Sequence, residues 1–187
     1  MLGGTGIASA GVTTLTDDLG VSPSDSVTGN PTVGGETHAG DAVAAQGQSA
    51  LTAAYNDADG RRVHHTFAGD QNGKTFRPGV HHTSAAFELT GTLKLDADGD
   101  PNSVFIIQVD AALNTAAASH VVLVNQAQAS HVFWQVQGAV TTGGLASSFT
   151  GTILANAAVT LGATSTVNGR VLSRGTVTLS TNAVTTD

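Results

Sequence analysis

The 187-residue chain reads as mainly β: a β-solenoid of triangular cross-section with one long α-helix packed alongside. Three observations predict this. Residues 149–161 (FTGTILANAAVTL) lie over residues 167–179 (VNGRVLSRGTVTL) without a gap, at an offset of eighteen that puts Gly151 over Gly169 and Leu154 over Leu172. Each such coil breaks into three strand-like pieces of about six residues, parted by small or polar corners. Only residues 41–60 carry an apolar stripe at helical spacing.

The first side runs through VFIIQ (104–108), VFWQV (132–136), TGTIL (150–154) and NGRVL (168–172). VFII and VFW are apolar on both faces, so this side needs a cover. The second side runs through AAFEL (85–89), AALNT (111–115), GAVTT (138–142), AAVTL (157–161) and GTVTL (175–179). It alternates: Phe87, Leu89, Val159, Leu161, Val177 and Leu179 point inward when Glu88, Thr160 and Thr178 point outward. The third side includes GTLKL (91–95) and VVLVN (121–125). Residues 41–60 supply the cover, with Asp41 as N-cap, a stripe of Val43, Gly47, Ala50, Leu51, Ala54 and Tyr55, and Gly60 as the stop.

Length and composition fit a single domain over residues 1–187, large enough to bury roughly 70% of its unfolded surface. Only 11% of residues are charged and 4% aromatic, so the surface is small, neutral and hydroxylated. A net charge of −7, with no basic cluster beyond Arg61 and Arg62, argues against nucleic acid as a partner. There is no cysteine for disulfide or thiolate chemistry, and runs such as VVLV (121–124) are too short to span a membrane. The opening MLGGTGIASAG reads as the middle of a pattern and has no signal-peptide order.

The tetrad VHHT occurs at 63–66 and again at 80–83. Seventeen residues is about one coil, so repetition alone would bring the tetrads together at exposed corners. A metal site needs convergent side chains, whereas adjacent histidines on extended chain point to opposite sides, so no metal and no cofactor are expected. DADGD (96–100) resembles the opening of a calcium loop, but its twelfth position is Ile107 instead of a bidentate Glu, and it reads as a turn. Arg170 and Arg174 could stabilise an anion in a polysaccharide-cleaving enzyme, yet their outward neighbours are Thr, Asn and Ser, and nucleophile and phosphate-loop motifs are absent. The chain is not expected to be an enzyme.

The segments DLGVSPSDSVTG (18–29), THAGDAVAAQGQSALTAAYNDADGR (37–61), LTGTLKLDADGDPNSVFIIQV (89–109), ASHVFWQV (129–136), FTGTILA (149–155) and TVNGRVLS (166–173) resemble the ice-binding protein family built on a discontinuous β-solenoid. The resemblance implies a right-handed, triangular solenoid whose coils do not stack in sequence order, a helix alongside, and adsorption to ice through one flat side. It implies secretion by cold-adapted microbes. The chain departs from the family pattern in lacking an apolar strand before LGGTG, in HHT after PGV, and in Glu88 on an otherwise hydroxylated side.

Ice is held by a rigid array that orders water before contact. A solenoid side supplies one, with rungs about 4.8 Å apart and alternate residues roughly 6.6–6.8 Å apart along each strand. Threonine suits the grid because its stiff χ1 fixes a methyl and a hydroxyl together. The candidate ice-binding residues are Thr160, Thr178, Thr176, Ala158, Thr141 and Asn114 on the second side, with Ser26 and Thr28 from the N-terminal coil. The third side, with Thr164 and Thr166 but also Lys94, is the rival face. The expected partner is an ice crystal surface, met by a secreted monomer with thermal hysteresis or ice recrystallisation inhibition as its activity. The alternative is an adhesion or carbohydrate-binding module, for which Trp134 on the first side is the one large platform.

Overall fold

A computed structural model describes residues 1–186. The strands form three parallel sheets of nine, seven and eight strands, one for each side of the solenoid. The first sheet runs in space from Thr37–Ala39 through Leu19–Val21, Leu2–Gly3, Val171–Ser173, Thr152–Ala155, Val132–Val136, Phe105–Val109 and Gly79–Thr83 to His65–Thr66. Leu2 pairs with both Leu172 and Gly20, so the N-terminal coils stack on the C-terminal one. The solenoid is therefore discontinuous, and the chain must travel from one end to the other between residues 39 and 65.

The helix Ala42–Asp59 makes that journey, 18 residues spanning about 27 Å. Asp41 caps it, its Oδ1 accepting from the Ala44 amide at 2.9 Å. Gly60 ends it with φ −75°, so the stop is not left-handed. The buried stripe is Ala44, Leu51, Tyr55 and Ala58; of the residues placed in the stripe by spacing, Val43 (55% exposed), Ala50 and Ala54 face solvent, because the buried face turns toward Ala44 and Ala58 instead.

The first side differs from its sequence reading in what the helix covers. Its outer face is apolar at Ile106, Phe133, Leu154, Leu172 and Leu2, as read, but it also presents Gln108 and Gln135, in register with those leucines. Leu51, Tyr55 and Ala58 pack on the leucines. Gln108 Nε2 donates to the carbonyls of Ala58, Asp59 and Arg61 at 2.7, 3.1 and 3.0 Å, satisfying the end of the helix. Trp134 points inward instead of serving as a platform: it is fully buried, packs on Phe87 and Phe149, and donates its Nε1–H to the Thr150 carbonyl at 3.0 Å.

The two VHHT tetrads do stack, but not as exposed corners. His81 pairs with His65, a separation of sixteen, so the identical tetrads are staggered by one residue. His81 lies in the strand Gly79–Thr83, 4% exposed. Its ring stacks on Phe76 at 4.2 Å and on His65 at 5.0 Å, and Nε2 bonds the Arg77 carbonyl at 2.8 Å. Half-buried His82 meets Asp110 at 3.0 Å, leaving His64 and His65 exposed. Phe67, Phe76 and His81 plug this end of the core because no further coil covers it. Among the described residues no three metal-ligating side chains converge.

Candidate functional site

The second side is built from Phe87–Leu89, Leu113–Thr115, Val140–Thr142, Val159–Leu161, Thr176–Ser180, Gly6–Ala10 and Val27–Thr28, in that spatial order. Inward residues such as Phe87, Leu113, Val140, Val159, Val177 and Ile7 are at most 1% exposed, which fixes the register. The outward residues between them fall into one column: Glu88, Asn114, Thr141, Thr160, Thr178, Ala8 and Thr28. Beside it runs a second column. Hydrogen bonds from Leu113 N to Ala139 O and from Val140 N to Ala158 O stack these alanines, and Thr176 pairs with Gly6 in the strands beyond them.

All eight candidate residues thus lie on one side, Ser26 just before its strand. Ala8 is the member that sequence reading missed. It enters the grid only because the N-terminal coil docks on Thr176–Ser180, a contact the eighteen-residue repeat does not encode. Hydroxyls are restrained where they can be: Thr176 Oγ1 lies 2.8 Å from Thr5 Oγ1. Glu88 is the one charged residue on these seven strands, and its Oε1 accepts from Asn114 Nδ2 at 2.9 Å.

The corner between the second and third sides is held from within. Thr115 Oγ1 accepts from Gly143 N at 2.8 Å, and Thr142 Oγ1 from Gly162 N at 3.3 Å. Asn182 Nδ2 donates to Gly162 O at 2.7 Å and Ser165 Oγ at 2.9 Å, and its backbone N–H reaches Thr13 Oγ1. Thr142, Ser165, Asn182 and Thr13 are each at most 3% exposed. Buried, satisfied polar ladders of this kind fix one geometry, here the corner from which the second-side strands run.

The rival side is less regular. Thr166, Ala183, Thr14 and Thr32 align outward at one end, but the column continues through Ser148, His120 and Thr92, with exposed Lys94 and Val122 beside it. Thr164 is not on this face: it occupies the corner before the strand in left-handed backbone, φ 61°. Arg174 is likewise committed, stacked 4.6 Å over Tyr55 and bonded to Asn156 Oδ1 at 2.8 Å.

A three-sided parallel solenoid with a helix along one side and a regular, hydroxylated second side defines the class of this protein. The ice-binding-like family matches residues 1–185, and the chain belongs to it. It is 40% identical over 164 residues to an ice-binding protein of Nostoc sp. (strain HG1), covering 86% of this chain and 60% of that one. It is 34% identical to an ice-binding protein of Flavobacterium frigoris (strain PS1), covering 86% and 63%. The chain thus spans about three fifths of these relatives' length. The crystal structure of an ice-binding protein from an Antarctic biological consortium superposes with a TM-score of 0.95 at 35% identity, over 98% of this chain and 85% of that one. That from the Antarctic ascomycete Antarctomyces psychrotrophicus gives 0.94 at 33% identity, over 98% and 92%.

Proposed function

We propose that this chain is an ice-binding protein that adsorbs to ice through its second side, producing thermal hysteresis or inhibiting ice recrystallisation. The observation that carries this reading is the in-register run Thr141, Thr160, Thr178, Ala8 and Thr28, which carries no charge over five rungs. Thr176, Ala158 and Ser26 flank it in the second column, and Asn114 stands at its edge. Such a grid repeats in two directions with spacings of about 4.8 and 6.7 Å, small side chains and rigid rotamers. Water ordered over it before contact lowers the cost of ordering at the ice surface.

The adhesion reading loses its platform with Trp134 buried. A second choice of face rests on the aligned Thr166, Ala183, Thr14 and Thr32 of the third side, a run of four that passes through Ser148 to His120, with Val122 and Lys94 at the far end of the sheet. We propose action outside the cell, where extracellular ice forms, as a monomer without cofactor and without catalysis. Among the described residues no helix is long and apolar enough to cross a membrane. Purified protein should open a gap between melting and freezing points and facet the crystal within it. Unshaped crystals at millimolar protein, together with unchecked recrystallisation, would refute the function.

A further inference from the structure

The second side does not stay uniform along its length. Thr141 to Thr28 carry only methyl and hydroxyl groups outward, but the next two rungs carry Asn114 and Glu88. Beyond Glu88 a bridge places Asp70, the Gln71 amide donating to the Glu88 carbonyl at 2.9 Å. Asp70 is folded back: it accepts from the amides of Thr90 and Asn72 at 3.0 and 3.1 Å and from the Thr90 hydroxyl. The Thr90 hydroxyl is the largest cause holding its carboxyl below the usual range, followed by the Thr90 amide. Asn114 is not free to meet a surface either, since its amide is turned along the solenoid axis to Glu88 Oε1.

We infer that Glu88 ends the ice-contact grid, so that Glu88 and Asn114 form a hydrated boundary and set the length of contact at five rungs. This rests on the second side being the ice face. The physical reason is local. A carboxylate holds its first water shell in its own geometry, and it fastens Asn114 in the rung between itself and Thr141. Nothing in the fold requires this. Glu88 lies between buried Phe87 and Leu89 as Thr160 lies between buried Val159 and Leu161, so the backbone can present a threonine there equally well.

The test is gain of activity. Glu88→Thr combined with Asn114→Thr should lengthen the grid from five rungs to seven and raise hysteresis about 1.4-fold if activity follows contact length. Glu88→Gln removes the charge, keeps an acceptor for Asn114, and should give a smaller rise. Lys94→Thr removes a charge from the neighbouring side of the same coil and should change nothing. The inference is overturned if both Glu88 variants match or fall below wild type with unchanged melting, or if Lys94→Thr raises activity equally. Should the double variant fail to fold, Glu88→Gln alone decides. Thr160→Tyr run in parallel separates the two levels. Full activity in that variant removes the face itself, whereas lost activity there with silent Glu88 variants removes only the boundary.

Discussion

Thr160 is exposed between two buried neighbours, Val159 and Leu161, and this three-residue pattern made the second side legible in the sequence. The histidines were not legible in the same way, because two identical tetrads invite superposition in phase, whereas the real register is one residue out. That stagger buries His81 and exposes His65. Burial lowers the His81 pKa from 6.5, against the raising effect of its bond to the Arg77 carbonyl, while His65 and His64 add to the lowering. With the folded value below the unfolded one, the unfolded state binds more protons between them. The contribution is whole above about pH 6.5 and is lost as pH falls through the folded value. His81→Phe, which keeps the stack on Phe76, should flatten the fall in melting temperature between pH 7 and 5. An unaltered slope would place that dependence elsewhere. At the corner, Asn182→Ala strips donors from Gly162 and Ser165 inside the core and should cost about 1–3 kcal/mol in denaturant titration. A loss near zero would mean that the ladder is not a structural device.

Among the elements, the helix was the most legible, with its cap and Leu51–Tyr55 spacing visible in sequence, although exposed Val43, Ala50 and Ala54 were drawn into the stripe and buried Ala44 and Ala58 left out of it. What sequence could not show is that the sheet offers two glutamines to it, because Gln108 looks like an end residue until register places it beneath Ala58. Leu51→Asp should destabilise the protein by roughly 3–5 kcal/mol, the cost of an unpaired charge in a packed contact. Wild-type melting of that variant would mean that the helix is not docked. Gln108→Ala leaves the packing and removes one donor shared by three carbonyls, so a smaller loss of about 1–3 kcal/mol is expected. Equal losses in the two variants would show that packing does not dominate the dock.

For the whole molecule, the repeat read from residues 149–179 describes only neighbours in sequence. Stacking of the first coil on the last could not be reached from spacing, since Ala8 and Thr178 are 170 residues apart and share no motif. Family resemblance implied only that the coils are out of sequence order; the structure shows which coils meet, and with that the length of the second side. Discontinuity also explains the helix, which returns the chain along the axis and shields the first side, leaving two sides to solvent. Of these, the second carries an outward column of threonine and alanine alone over five rungs, whereas the third has four such rungs before Ser148 and His120 enter its column. The most direct test is the thermal hysteresis of Thr160→Tyr beside that of Thr166→Tyr, both checked for wild-type melting. A ring at Thr160 should hold ice off the neighbouring rungs and abolish most activity, while Thr166→Tyr on the third side keeps it. Hysteresis retained in Thr160→Tyr and lost in Thr166→Tyr would contradict the assignment of the second side as the ice-binding face.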